Sequence, residues 1–149
     1  MRLPEPLFVV INPTMRLLLR SPLHVLVSGS LMLITYTGRR SGRRYSTPVR
    51  YLRRGDVIRC FTTTESRWWR NLRDGAEVSL RIRGHEARYH ARAIHDDAAR
   101  VRAGLEDYFA QFPQDAAYHA VRLAAGRRPD PADLARAAQH AVMVEARPL

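Results

Sequence analysis

Between residues 31 and 94 the chain runs through short segments of period-two hydrophobicity separated by glycine-bearing turns, a pattern that restricts it to closely spaced antiparallel strands. Residues 77–83 (Glu-Val-Ser-Leu-Arg-Ile-Arg) alternate without a break, so this strand should keep one face wet. Leu31–Thr37 is rich in β-branched and aromatic residues, which suit a pleated, half-buried surface. The segment 38–44 then turns the chain, with Gly38 and Gly42 both able to take positive φ. Residues 47–53 form the return strand, Gly55-Asp56 marks a hairpin into 57–62, and Gly84-His85 turns 77–83 into 86–94.

Helical signals flank this β region. Asn12-Pro13 and Ser21-Pro22 each pair an N-cap residue with proline at the first helical position, predicting helices over 13–20 and from 22 to about Ser28-Gly29. Residues 68–73, closed by Gly75, read as one or two helical turns between strands. Asp96-Asp97 caps a helix reaching about Phe109; 116–124 and 132–140 are predicted helical, and 141–147 forms a final strand. With 149 residues and no internal repeat, the chain fits one domain. Its parts are N-terminal helices (1–29), barrel strands (30–95) and a mainly helical remainder (96–149). The expected architecture is a small barrel-like α+β fold.

Charge narrows the partners. All 25 basic residues are arginine, so any anion site must be built from guanidinium forks, which grip phosphate and carboxylate bidentately. Residues 1–54 carry ten arginines against Glu5 alone, whereas 55–149 carry fifteen against thirteen acids. An excess confined to one segment points to a local anionic partner. Cys60 is the single cysteine and excludes an intramolecular disulfide. The longest mainly apolar stretch, 23–36, is interrupted by His24, Ser28, Gly29 and Ser30 and is shorter than the ~20 residues a spanning helix needs. Cytoplasmic location is the expectation.

Two segments carry chemistry. In Gly38-Arg39-Arg40-Ser41-Gly42-Arg43-Arg44, four arginines crowd a glycine-punctuated turn, and Ser41, Ser46 and Thr47 add hydroxyls. Guanidinium groups beside exposed backbone N–H groups suit a phosphate or polycarboxylate; a solvated basic hairpin or a nucleic-acid patch fits the charge equally well. In Glu65-Ser66-Arg67-Trp68-Trp69-Arg70-Asn71-Leu72, adjacent tryptophans on a short polar helix should not both face one core. One is expected to pack while the other borders a planar ligand, unless both cover the barrel end.

The run Thr37-Gly38-Arg39-Arg40-Ser41-Gly42, followed by Thr47-Pro48 and then Trp68-Trp69-x-Asn71-Leu72, resembles the deazaflavin-dependent nitroreductase and quinone-reductase family over about residues 12–93. The resemblance implies a split β-barrel (FMN-binding-like, pyridoxamine-phosphate-oxidase-like) and coenzyme F-420, a deazaflavin whose tail carries phosphate and oligoglutamate. By position, Arg40 matches the family's phosphate-meeting residue, and Arg39, Ser41 and Gly42 belong to the same loop. Thr47 and Pro48 match residues lining the cofactor groove, while Trp68 and Asn71 match positions near the deazaflavin. The family's basic loop after the third strand is replaced here by Thr62-Thr63-Thr64-Glu65, leaving Arg43, Arg44 or Arg67 to complete the phosphate grip; Ser46 and Thr63 complete the candidate set. The implied reaction is hydride transfer from the reduced deazaflavin to an electron-poor quinone, nitroaromatic or enone. An FMN-binding barrel or a deazaflavin carrier is the nearer alternative, and a basic nucleic-acid-binding module the more distant one.

No catalytic nucleophile stands out. The six histidines lack metal-ligand spacing, so no metal site is expected, and no Gly-x-Ser-x-Gly elbow supports a hydrolase. Cys60 reads as a small core residue. Tyr45, Tyr51 and Tyr118 are candidate substrate contacts, with Tyr108 on a neighbouring helix, because a phenol can donate to a carbonyl or nitro oxygen as charge develops. The amphipathic N-terminal helices suit a substrate lid or peripheral membrane contact. The resemblance also implies a homodimer paired through a sheet face.

Overall fold

The computed structural model describes residues 30–149 apart from Ala125 and Arg127. The predicted helices over 13–20 and 22–29, and the lid or membrane role given to them, lie outside the described residues. Strands β1 (Leu31–Thr37), β2 (Arg44–Arg50), β3 (Leu52–Arg54), β4 (Val57–Thr63), β5 (Ala76–Ile82), β6 (His85–Ile94) and β7 (Ala141–Pro148) form one antiparallel sheet. Their spatial order is β2-β1-β5-β6-β7-β4-β3. Helix α1 (Ala98–Gln111) and helix α2 (Pro131–His140) precede β7, and two 3-10 helices occupy Trp68–Leu72 and Pro113–His119.

One local feature sets the curvature. β2 is zipped to β1 from Leu31↔Arg50 to Thr37↔Arg44, whereas β3 pairs with β4 from Leu52↔Arg59 to Arg54↔Val57. These two strands stand at opposite ends of the sheet, yet only Tyr51 separates them. The sheet must therefore curl until its ends meet, giving the split barrel. The predicted single return strand 47–53 is corrected accordingly. The chain leaves one ladder and joins another at Tyr51, whose N–H turns to the Ser30 carbonyl at 2.9 Å.

The inner face is dry. Met32, Ile34, Tyr36, Ile58, Cys60, Val78, Leu80, Ala91, Ala93, Val142, Val144 and Ala146 belong to one buried cluster, to which the paired strands β6 and β7 contribute three alanines. A second cluster joins the outer face of β7 (Ala141, Met143) to Val101, Leu105, Tyr108 and Phe109 of α1 and Leu134, Ala137 and Ala138 of α2. β7 is thus buried on both faces from Ala141 to Ala146. Glu145 lies among these residues, 3% exposed, and its carboxylate takes Arg59 Nε at 2.8 Å and Arg100 Nη2 at 2.6 Å. That pairing ties β4 and α1 to β7 and compensates the charge of a carboxylate that is itself buried.

The helix ends follow the capping chemistry read from the sequence. Asp97 caps α1 by accepting from Arg100 N–H, and Asp130 caps α2 with Pro131 at the first position. The Arg122 guanidinium and backbone N–H both reach Asp133, holding its carboxyl well below the usual carboxylate range. Two expectations change. The predicted helix 116–124 is a 3-10 helix over Pro113–His119, stopped where Ala120 adopts φ 57°. The β5–β6 turn is Arg83-Gly84, not Gly84-His85. Ile82 pairs with His85, and both central residues have positive φ (51° and 82°), the pattern of a type I′ hairpin whose twist matches the strands.

Gly104 on α1 tests which force governs the helix–sheet contact. Helix propensity favours Gly104→Ala by up to about 1 kcal/mol, but a Cβ there would stand 2.5 Å from Met143 Sδ and 3.1 Å from Phe61 Cζ. We expect the variant to lose about 1–3 kcal/mol in urea unfolding; a gain would show that α1 does not rest on β7 at this point.

Candidate functional site

The β1–β2 loop is a closed turn whose shape is set by its own atoms. Gly38 N–H donates to the Arg43 carbonyl at 2.7 Å, Gly42 N–H to the Gly38 carbonyl at 3.0 Å, and Arg43 N–H to Ser41 Oγ at 3.1 Å. Gly42 adopts φ 70°, the conformation expected of it. Gly38 has a different constraint and is not at positive φ: a Cβ would lie 2.7 Å from Ser41 Oγ and 2.9 Å from Tyr45 Cε2. With these N–H groups engaged, the loop presents mainly guanidinium groups to an anion.

The second component is the 3-10 helix Trp68–Leu72. Its bonds run from Arg70 N–H to the Arg67 carbonyl and from Arg73 N–H to the Arg70 carbonyl. A 3-10 helix has three residues per turn, so positions three apart eclipse one another. Arg67, Arg70 and Arg73 therefore stack as a column on one edge. Both tryptophans are buried, at 4% and 3%, which corrects the expectation that one would stay out of the core. Trp68 meets Tyr36 with ring centroids 5.9 Å apart, and Trp69 meets His95 at 4.9 Å. They cover the same barrel end from two sides because successive residues of the tight helix diverge.

Loop and helix face each other across a recess of about 650 Å³ lined by Tyr36, Gly38, Arg39, Arg40, Ser41, Tyr45, Arg67, Arg70, Asn71 and Arg73. The volume lies within the range of small-molecule sites. Five guanidinium groups line it, and no carboxylate does. Among the described residues, no ion pair joins Arg39, Arg40, Arg70 or Arg73 to an acid. Arg70 and Arg73 lie over the Trp69 ring at 5.8 and 5.2 Å. Tyr36 packs on Tyr45 at 5.9 Å as well as on Trp68, so the recess has an aromatic wall in addition to its basic rim.

Of the residues singled out in the sequence, Arg39, Arg40, Ser41, Tyr45, Arg67 and Asn71 line this recess; Gly42 and Arg43 belong to the same loop, and Trp68 supports its aromatic wall. Thr47, on the Tyr45 face of β2, is 1% exposed, and its Oγ1 has no hydrogen-bond partner. Ser46 and Pro48 fall on the opposite face, where Ser46 Oγ meets Thr35 Oγ1 at 2.8 Å. Arg44 lines a separate cleft on that face with Glu77 and Arg88, and Thr63 lines a smaller one with Glu65, His119 and His140. Tyr51 is buried in the barrel core and Tyr118 packs against His119, both away from the recess. Tyr108 donates to Asp115 under α1, and burial together with that bond raises its phenol. Arg70, Arg73 and Tyr36 escaped the sequence reading. The three-residue spacing of Arg67, Arg70 and Arg73 was a usable signal only for a 3-10 helix.

Comparison with known proteins agrees with this architecture. Residues 22–122 match the profile of a family described as F420H(2)-dependent quinone reductase. Among solved structures, a protein from Listeria innocua assigned as a pyridoxamine 5′-phosphate oxidase is 13% identical, with 85% of this chain and 89% of that one covered and a TM-score of 0.53. An FAD- and heme-binding protein from Mycobacterium smegmatis is 18% identical, with coverages of 87% and 67% and a TM-score of 0.50. A structure titled F420 reductase is 14% identical, with coverages of 90% and 92% and a TM-score of 0.47. No curated protein matches the chain.

Two measurements probe the barrel interior beside the recess. An unpartnered buried hydroxyl is a net cost, so Thr47→Val should leave the cofactor-free protein as stable or up to about 1 kcal/mol more stable; a clear loss would reveal a partner for the hydroxyl. Burial pushes the Cys60 thiol up to about 12. An aromatic disulfide reagent at pH 8 should therefore modify Cys60 only as fast as the protein opens. Reaction at the rate of a free thiol would show the barrel to be permeable.

Proposed function

The chain belongs to the F420H(2)-dependent quinone reductase family, and we propose that it holds the reduced deazaflavin coenzyme in the arginine-lined recess and passes a hydride to a quinone. Its class is that of an F420-dependent oxidoreductase. The observation carrying the cofactor site is the convergence of five guanidinium groups, from two segments, on one recess without a carboxylate.

The residues present fit such a group. A phosphorylated, acidic tail needs charge-assisted donors, which Arg40 and the Arg67–Arg70–Arg73 column offer. A flat ring needs an aromatic or apolar wall, which Tyr36, Tyr45 and the Trp68 behind them provide. The buried, unpartnered Thr47 hydroxyl, two residues from Tyr45 on the same strand face, is a further donor or acceptor available to a ligand. When bound, the coenzyme supplies the hydride. The protein's contribution is positional: gripping the unreactive tail fixes the ring against the wall, turning tail affinity into ring orientation. Tyr45, with its hydroxyl 3.3 Å from Ser41 Oγ, is the phenol placed to donate to a quinone oxygen as charge develops there. Hydride and a single proton convert a quinone to a hydroquinone, so the proton that Tyr45 passes on is restored to it from solvent. Pairing through a sheet face and contact of residues 1–29 with a membrane, where quinones reside, remain part of the same proposal.

Fluorescence titration with F-420 and, in parallel, FMN tests this assignment. Arg40→Ala and Arg70→Ala are each expected to weaken F-420 binding about tenfold or more, and binding to the unaltered protein should decline with added salt. Steady-state assays with the reduced coenzyme should show menadione turned over with higher kcat/KM than a nitroaromatic or an enone. Preference for FMN, or indifference to both substitutions, would overturn the site; preference for another acceptor would overturn the quinone assignment alone.

A further inference from the structure

The amide of Asn71 lines the recess, and both its oxygen and its nitrogen are engaged within the protein. Its Oδ1 accepts from Arg39 N–H at 2.9 Å, and its Nδ2 donates to the Trp68 carbonyl at 3.0 Å. Beside it, Arg39 Nη1 donates to the Arg70 carbonyl at 2.9 Å. Two hydrogen bonds thus cross between the β1–β2 loop and the 3-10 helix, and the third holds the Asn71 side chain to its own helix.

The loop's internal bonds, Gly38 to Arg43, Gly42 to Gly38 and Arg43 to Ser41, fix its shape. They do not fix where that shape sits relative to the arginine column. The bonds from Arg39 do so. We propose that Asn71 and Arg39 form a clasp that positions Arg40 against the column, and that Asn71 serves the reaction as a positioning residue without contacting the coenzyme. This inference rests on the cofactor assignment made above only for its consequence in binding; the clasp itself is a property of the protein alone.

The amide is chemically specific for the task. One side chain must accept from a backbone N–H and donate to a backbone carbonyl, which an amide does and neither a carboxylate nor an aliphatic side chain does. Arg39 and Arg40 are consequently unequal. One Arg39 N–H is committed to the helix, whereas Arg40 has no ion-pair partner among the described residues and remains available to an anion.

A double-mutant cycle with a structural arm decides the matter. Asn71→Ala should raise the dissociation constant for F-420 about tenfold. The pair Arg40→Ala/Asn71→Ala should bind within about twofold of Arg40→Ala alone, because a misplaced Arg40 and a missing one are equivalent. With menadione as acceptor, the loss in Asn71→Ala should appear in the coenzyme KM, with kcat kept within about twofold. In coenzyme-free protein, amide exchange of loop residues 38–43 should accelerate about tenfold in Asn71→Ala while the β1 interior stays protected. Arg39→Ala, at an exposed position, removes the other crossing bond, from Nη1 to the Arg70 carbonyl, and should accelerate the same exchange, though by less, if Asn71→Ala does not fold.

Additive effects in the cycle would make Asn71 a direct coenzyme contact and overturn the proposal. So would unchanged binding in Asn71→Ala, or loop exchange unchanged in both variants. If the unaltered protein takes up no F-420, the cofactor assignment fails, and the exchange measurement still decides whether the clasp exists.

Discussion

Everything in this fold follows from two successive strands, one residue apart, that stand at opposite ends of the same sheet. Residues 44–54 pair first with β1 and, after Tyr51, with β4, so seven strands that could have lain open are bent into a split barrel. The bend creates the enclosed apolar face on which stability depends, and it leaves an end of the barrel to be covered. The Trp68–Trp69 helix covers that end, held by contacts with Tyr36 on one side and His95 on the other. The recess lies where this cover meets the loop between the first two strands. Its position is therefore a consequence of barrel closure.

The absence of lysine has a structural consequence at that recess. Guanidinium groups are planar, weakly hydrated and able to lie over aromatic rings, as Arg70 and Arg73 do over Trp69. Such stacking lets like charges converge on a small site while each keeps N–H groups for an anion. Elsewhere the arginines have a plainer role. Arg59 and Arg100 neutralise the buried Glu145, Arg122 binds Asp133, and Arg50 reaches Asp115 beneath α1. The residues that line the recess, by contrast, include no acid.

Much of this was legible in the chain. Leu31–Thr37 appears with the bounds expected of it, the strands 57–62, 77–83 and 86–94 shift by one residue at most at either end, and the Asp97 and Asp130–Pro131 helix starts behave as caps. These are local matters, in which alternation and side chain-to-backbone bonds act over a few residues. The misreadings are equally local in appearance but not in cause. A strand spanning Tyr51 is a sound reading until a second ladder competes for its C-terminal half. Two adjacent tryptophans look incompatible with one core until a 3-10 helix aims them to different sides.

By itself the sequence determined that the protein is a small antiparallel α+β barrel with a guanidinium-rich, glycine-hinged loop, because periodicity, capping and charge are written residue by residue. The family likeness of that loop and of the tryptophan segment was legible there too. Only the tertiary structure decided that Arg67, Arg70 and Arg73 join the loop at one recess, that Arg44 and Thr63 face other clefts, and that Asn71 is engaged within the protein. The reason is geometric. Residues some thirty positions apart share a site only once the sheet has curled, and which hydrogen bond a side chain makes depends on the atoms that closure brings within reach.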